Sequence, residues 1–479
     1  MLFPTIDFAV FFVVVFTASW LLRPRHTVWR WFMLAASCYF YAYWEFGYLF
    51  LLLGSIGVNW LFGEAVYRAL GPDGQRTTAS KWLVRASVVV NLAALGYYKY
   101  LDFFVSSVSD RLESLGLDVD PPVLEILLPV GISFFTFQAM SYVLDIGRGE
   151  WRRPMTLLDF AVFLSFFPQV VAGPIVRASE FAPQLERPAD PRFVRYSEAF
   201  MLIFRGLFKK VVISSFLAAQ IVDPVFAVPE AYGRWEVLWA IYAYAIQIYA
   251  DFSGYTDIAI GVALLLGFRF PQNFNAPYIA TSLQDFWRRW HMTLSRWLRD
   301  YLYIPLGGNR GTTLFTYRNL FLVMLIGGLW HGANWTFVVW GAIHGGYLVA
   351  ERVVKTRWAA RGSLGLPAPL VKGLQWFLTF NVVCLAWVFF RAPSVGDAWT
   401  MLGRLFAGGG APSVVSTLVL VTVVLSLASQ FVPPRVAERG EQVFSKLAPL
   451  AQAAILAVGL VVIDALGPEG VAPFIYFQF

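Results

Sequence analysis

Only four histidines occur in 479 residues, and His291, His331 and His344 fall within 54 positions of one another. A neutral imidazole in a buried pocket is suited to general-base work near neutral pH. His331 is the sharpest candidate. It stands in GGLWHGANW, where Gly327, Gly328 and Gly332 allow close backbone approach and Trp330 and Trp335 supply walls with N–H donors. A buried structural histidine is the competing reading, and residue types do not separate the two. His344 follows His331 by 13 residues, about 220° around a continuous helix, so cooperation between them requires the backbone to break. Packing or support of another group is its simpler role. His26 sits among arginines in a connector and reads as interfacial.

His291 belongs to SLQDFWRRWHMTLSRWLRDYLYIPLGG, residues 282–308. Apolar residues recur there at helical spacing, which predicts one amphipathic helix that lies at the cytoplasmic interface or lines an entrance from it. Asp285, Arg288, Arg289, Arg296, Arg299 and Asp300 take the polar face, and His291 falls on the border. The arginines read first as lipid-headgroup anchors. The functional alternative, for Arg288 and Arg289, is a clamp on the phosphates of an acyl carrier such as CoA. Asp251 and Asp257, with Tyr249, Ser253 and Tyr255, make a polar island in a long apolar run. Hydrogen bonding that fixes helix contacts is the first reading, and a cavity wall that meets substrate through Asp251 and Tyr255 is the second.

These groups must be positioned by membrane helices. Apolar residues make up 58% and charged residues 14%, against about 45–50% and about 25% in soluble domains, and the mean hydropathy is +0.60. Such an apolar excess faces lipid. Spans of roughly 20 apolar residues are predicted at 4–22, 28–45, 47–67, 82–105, 123–146, 197–222, 235–266, 371–390, 413–432 and 447–466. Residues 4–22 have no basic region before them and no small-residue cleavage site after them, so they read as the first span. The net charge of +7 comes from arginines in connectors, which points to the anionic inner leaflet rather than nucleic acid. Cys38 and Cys384 lie far apart in apolar segments and offer neither a metal site nor a redox pair. No G-x-S-x-G, H-E-x-x-H, P-loop or C-x-x-C motif is present. An embedded His site or a proton-coupled transporter is left.

Connectors 23–30, 68–85 and 147–156 are basic, whereas 106–122 and 223–236 are acidic. By the positive-inside rule the N-terminus starts outside. Two apolar stretches then fail to fit single crossings. Residues 157–176 contain Pro168, Gly173 and Pro174 and lie between two cytoplasmic connectors, which predicts a re-entrant segment. Residues 319–350 lie between 267–318, with seven Arg and two Asp, and 351–372, with five basic residues. A re-entrant hairpin or a broken helix is expected there, with residues 318 and 351 on one side.

Five runs now carry a resemblance: FFPQVVAGPIVR (166–177), DFSGYTDIAIG (251–261), FPQNFNAPY (270–278), DFWRRWHMTLSRWLRDYLYIPLGGNR (285–310) and GGLWHGANWTF (327–337). They resemble the membrane-bound O-acyltransferases, most nearly the bacterial alginate O-acetyltransferase branch, and the aromatic ending PFIYFQF (473–479) fits as well. The resemblance implies an all-α polytopic membrane protein, a ring of about ten or more transmembrane helices with re-entrant segments around a central tunnel. It implies a single domain over 1–479, with N-terminal spans (1–122), a motif-bearing region (123–390) and C-terminal spans (391–479). It also implies His331 as the family's invariant histidine and His291 as its partner position.

The expected activity is acetyl transfer from a cytoplasmic donor, acetyl-CoA, to a hydroxyl of a cell-envelope polysaccharide such as alginate, or to an extracytoplasmic partner enzyme. His331 would deprotonate the attacking hydroxyl, and His291 would orient the donor. Asn334, Trp335 or backbone N–H groups would stabilise the oxyanion. No bound cofactor or metal is expected, and the setting is the bacterial inner membrane. A secondary transporter with two re-entrant segments, a non-catalytic scaffold of a polysaccharide synthase, and D-alanyl as the acyl group are the alternatives.

Overall fold

A computed structural model describes residues 1–117, 126–151, 153–187, 189–361, 367–406, 408, 413–467 and 475. Asp118, Asp120, Arg152 and most of the PFIYFQF ending lie outside them. Among the described residues helix is the only regular structure. Hydroxyl side chains mark many of the starts. Thr5 accepts from the Phe8 amide at 3.2 Å, Ser282 from Asp285 at 3.1 Å and Thr312 from Phe315 at 3.3 Å, each satisfying a donor that the first turn leaves open.

The chain is a polytopic membrane protein. Among the described residues six helices are long and apolar enough to cross a bilayer: Phe46–Arg68, Thr78–Ser114, Arg234–Leu265, Thr313–His331, Ala368–Arg391 and Pro449–Leu466. A seventh span results if Thr417–Ser429 and Pro434–Ser445, bent by 93°, count as one. All ten expected stretches hold helix, but five of the helices are shorter than expected: Ile6–Leu22, His26–Ala42, Ile132–Gly147, Thr417–Ser429 and Pro449–Leu466.

Residues 1–199 with 259–271 form one compact unit. Asn59 and Asn91 exchange side-chain hydrogen bonds of 3.1 and 2.7 Å between the helices Phe46–Arg68 and Thr78–Ser114. The stretch 157–176 is broken as its prolines and glycine predict. Helix Leu157–Ser165 has nine residues, a rise of about 14 Å where a bilayer core needs about 30 Å. The chain kinks at Phe166 and makes one further turn, Phe167–Val170. Gln169 donates to the Phe163 carbonyl at 2.6 Å and the Phe167 amide donates to Ser37 Oγ at 3.2 Å. The run 160–176 is buried throughout, so protein rather than lipid covers the irregular backbone.

Residues 200–258 with 272–479 form the second unit, which holds all three clustered histidines. A Cβ on Gly206 would stand 2.5 Å from the Gly254 carbonyl oxygen, and one on Gly254 would stand 2.8 Å from that of Gly206. This close approach lets cations of the π-helical turn Phe208–Ser214 and its surroundings reach the long helix Arg234–Leu265. Asp251 is ion-paired with Lys210, each side chain 3% exposed, and accepts from Ser214 Oγ at 3.2 Å and the Ile475 amide at 2.9 Å. Asp257 accepts two bonds of 2.9 Å from Arg205 and one of 2.8 Å from Lys209. The two carboxylates therefore bond to neighbouring cations rather than to each other.

Helices Thr313–His331 and Trp335–Arg361 run antiparallel. A Cβ on Gly328 would meet the Phe337 carbonyl oxygen at 2.4 Å, one on Gly341 the Met324 oxygen at 2.6 Å, and one on Gly345 the Phe321 Cα at 3.0 Å. Small residues let the two backbones touch. Residues 318 and 351 thus lie at the same end of a helical hairpin, and 319–350 is a pair of long helices joined at a break.

Breaking one side of a buried ion pair costs about 3–5 kcal/mol, because the remaining charge has no counter-ion. Asp251→Asn should therefore lower the thermal midpoint of the detergent-solubilised protein markedly, and adding Lys210→Met should recover part of the loss. An unchanged midpoint for Asp251→Asn would show that the pair does not hold the two segments.

Candidate active site

Residues 282–308, expected as one helix, break at Trp290 and His291 into Leu283–Arg289 and Met292–Leu298. The cause is competition from the loop 270–278. The Asn273 carbonyl accepts from the Met292 amide at 2.9 Å and the Asn275 amide donates to the Arg289 carbonyl at 2.9 Å, on either side of the break. His291 is held there at φ +43°, ψ +53°, a left-handed conformation that costs a residue with a side chain of order 1–3 kcal/mol.

Asn273 also sets the state of that imidazole. Its Oδ1 accepts from the Thr293 amide at 3.1 Å and Thr293 Oγ1 at 2.9 Å, and lies 3.2 Å from His291 Nδ1. A backbone N–H only donates, so the amide atom facing Thr293 is oxygen, and His291 Nδ1 must donate to it. The lone pair of His291 is then on Nε2. Burial pushes this imidazole down to about 3, which keeps it neutral at physiological pH. Phe252 stands edge-on to its ring at 4.7 Å.

His331 is the last residue of its helix and 4% exposed. The following Gly332 is extended, and a Cβ there would lie 2.0 Å from the Phe337 ring. The His331 ring is 5.0 Å from Trp330, 5.2 Å from Trp340 and 5.2 Å from Phe390. Trp330 is also 6.2 Å from His291, so one buried indole contacts both histidines. His344 returns to the same place because the hairpin reverses the chain. Its ring is 4.5 Å from Trp340, and its Nδ1 accepts from Trp287 Nε1 at 3.2 Å.

The other candidates divide. Asn334 donates to the Pro393 carbonyl at 2.9 Å and accepts from the Thr336 amide at 2.9 Å, so both ends of its amide serve backbone. Trp335 is 57% exposed. Asp251 is committed to Lys210, and Tyr255 is buried one turn further along the same helix. Arg288 is exposed, whereas Arg289 pairs with Asp285 at 2.9 Å and donates to the Asn275 carbonyl at 3.3 Å. Among the described residues no group of three His, Cys, Asp or Glu side chains is placed to hold a metal ion. Asn273, Trp340 and Lys210 were not singled out from the sequence. Asn273 stands in the quoted run FPQNFNAPY, and a lysine pair beside an apolar helix was the available sign of a buried counter-ion.

The fold and the site together define a polytopic helical membrane protein with a buried imidazole cluster at a broken helix. The chain belongs to the membrane-bound O-acyltransferase family, which it matches over residues 124–390. A probable alginate O-acetylase of Pseudomonas aeruginosa is 43% identical over 416 residues, 85% of this chain and 75% of the relative. One from Pseudomonas putida is 39% identical over 474 residues, 93% and 94% of the two chains. A peptidoglycan O-acetyltransferase of Helicobacter pylori is 38% identical over 427 residues, 84% of this chain and 77% of the relative. The protein is an O-acyltransferase.

Removing Asn273 takes away the acceptor shared by the Thr293 amide, its hydroxyl and the His291 ring, a loss of about 1–3 kcal/mol, and releases that ring. Asn273→Ala should therefore lower both the thermal midpoint and the rate of acyl transfer. Full activity in this variant would show that the His291 tautomer and its strained turn are held by something else.

Proposed function

We propose that the protein moves an acetyl group from acetyl-CoA on the cytoplasmic side to a hydroxyl of a cell-envelope polysaccharide such as alginate, or to an extracytoplasmic enzyme that completes the transfer. Its setting is the bacterial inner membrane, with the N-terminus outside. The observation that carries the reading is the pair of buried imidazoles, His291 and His331, that both contact Trp330, within a family of O-acyltransferases. His331 accepts the proton of the attacking hydroxyl. That oxygen bonds to the thioester carbonyl carbon, the C–S bond breaks, and the proton passes to the departing thiolate. The position of His331 supports this role, since the carbonyl end of a helix favours positive charge as it develops. His291, with its lone pair on Nε2, orients the donor by accepting a hydrogen bond.

The names of the relatives support a polysaccharide acceptor, and their identity and coverage favour acetyl. Teichoic acid D-alanyltransferase of Streptococcus thermophilus, 31% identical over 294 residues, keeps D-alanyl as the second acyl group to test.

A general base contributes about 10²–10⁴-fold. His331→Ala should abolish nearly all transfer of label from acetyl-CoA to oligomannuronate while the protein stays folded, and His331→Gln should be nearly as inactive. His291→Ala should be damaging but milder. Recovery of most activity by Gln would move the base elsewhere, and normal polysaccharide acetylation in cells carrying both alanines would leave only a scaffold.

Arg288 is an exposed cation on the helix Leu283–Arg289, on the side where CoA phosphates would arrive. Arg288→Gln should raise the apparent KM for acetyl-CoA with a smaller change in kcat, the sign of lost uniform binding. Arg289→Gln should act mainly by freeing Asp285. An unchanged KM for Arg288→Gln returns that residue to a headgroup anchor.

A further inference from the structure

Trp340 and His344 lie four residues apart on the helix Trp335–Arg361, on one face, 1% and 0% exposed. Trp287 Nε1 donates to His344 Nδ1 at 3.2 Å. An indole N–H has no acceptor capacity, so Nδ1 carries the lone pair and the proton of the neutral ring is on Nε2. His344 is thereby a fixed donor, not a base. Its Nε2–H and the Trp340 Nε1–H find no hydrogen-bond acceptor among the described residues. Each buried, unsatisfied donor costs about 1–3 kcal/mol, so two of them on rings 4.5 Å apart call for an acceptor from outside the chain. That acceptor would be next to the base: Trp340 lies 5.2 Å from His331, and Trp387 stacks on Trp340 at 5.8 Å.

Resting on the acyltransfer reading above, we propose that Trp340 Nε1–H and His344 Nε2–H are the oxyanion hole, receiving the acyl carbonyl oxygen. As the acceptor hydroxyl bonds to the carbonyl carbon and gives its proton to His331, the C=O electron pair moves onto that oxygen. The two N–H groups stabilise it there. Collapse re-forms C=O, breaks the C–S bond and returns the proton from His331 to the thiolate. The role expected of Asn334 and Trp335 moves to these two residues, because Asn334 is bound to backbone at both ends and Trp335 is exposed. Trp287 is a positioning residue that sets the His344 tautomer.

The test measures transfer from radiolabelled acetyl-CoA to oligomannuronate by the purified full-length protein. Removing one oxyanion donor costs about 10²–10³ in kcat. Trp340→Phe keeps the ring and deletes the N–H, so it should lose kcat on that scale with the acetyl-CoA KM little changed and the thermal midpoint retained. His344→Gln, which keeps a donor, should exceed His344→Leu by about tenfold or more. Should Trp340→Phe melt early, the Gln and Leu pair decides: equal rates overturn the assignment. Wild-type kcat in Trp340→Phe and His344→Leu also overturns it and leaves a trapped water as the acceptor. A rise in KM alone would mean ground-state binding, and the oxyanion role fails. A wild-type protein that transfers no acetyl group refutes the acetyl reading instead, so the two failures are distinct.

Discussion

Backbone that leaves the helix at membrane depth must find new hydrogen-bond partners, and at the turn between His331 and Trp335 one side chain supplies two of them. Asn334 caps the Thr336 amide and anchors the turn to the Pro393 carbonyl. With that turn made, the chain reverses and glycines 328, 341 and 345 let the two helices touch. Reversal is what carries Trp340 and His344 back to His331. In a continuous helix His344 would face away from it, and no aromatic wall would close on the imidazole.

The same constraint shapes the other half of the site. His291 sits in a left-handed conformation because the loop around Asn273 takes over hydrogen bonds that a continuous helix would have made internally. The strain buys orientation. One amide oxygen receives three donors, and the imidazole that supplies one of them has a single possible tautomer. Two histidines on neighbouring segments are thus set in opposite senses, His291 presenting a lone pair on Nε2 and His344 presenting a proton there. An uncharged site can in this way accept at one position and donate at another, without a carboxylate or a metal taking part in either assignment.

Away from the histidines, the long helix Arg234–Leu265 is held by charge rather than by shape alone. Lys210 with Asp251, and Arg205 and Lys209 with Asp257, join it to the preceding helical segment at the Gly206–Gly254 approach. Burying such pairs brings little net stability, since desolvation offsets attraction. What they bring is register, because sliding either segment by a turn would strand five charges. Phe252, on the same helix, is the residue that meets the His291 ring, so that register also sets one wall of the site.

Much of this was legible in the sequence. The apolar excess and run lengths define a polytopic membrane protein, because lipid exposure leaves its mark on composition directly. Prolines and glycines mark the breaks at 157–176 and after His331, since they remove donors or permit close contact wherever they stand. The runs around 285–310 and 327–337 identify the family and two of the three histidines. Tertiary structure decided the rest. Periodicity predicted one helix through His291, and only the loop at 270–278 shows why it breaks. The ion-pair partners of Asp251 and Asp257, the return of His344 to His331 and the tautomers of both rings depend on hydrogen bonds between residues 18 to 57 positions apart. Local spacing records which face of a helix is apolar. It does not record which distant donor will arrive there, and that meeting is what turns a buried imidazole into an acceptor or a donor.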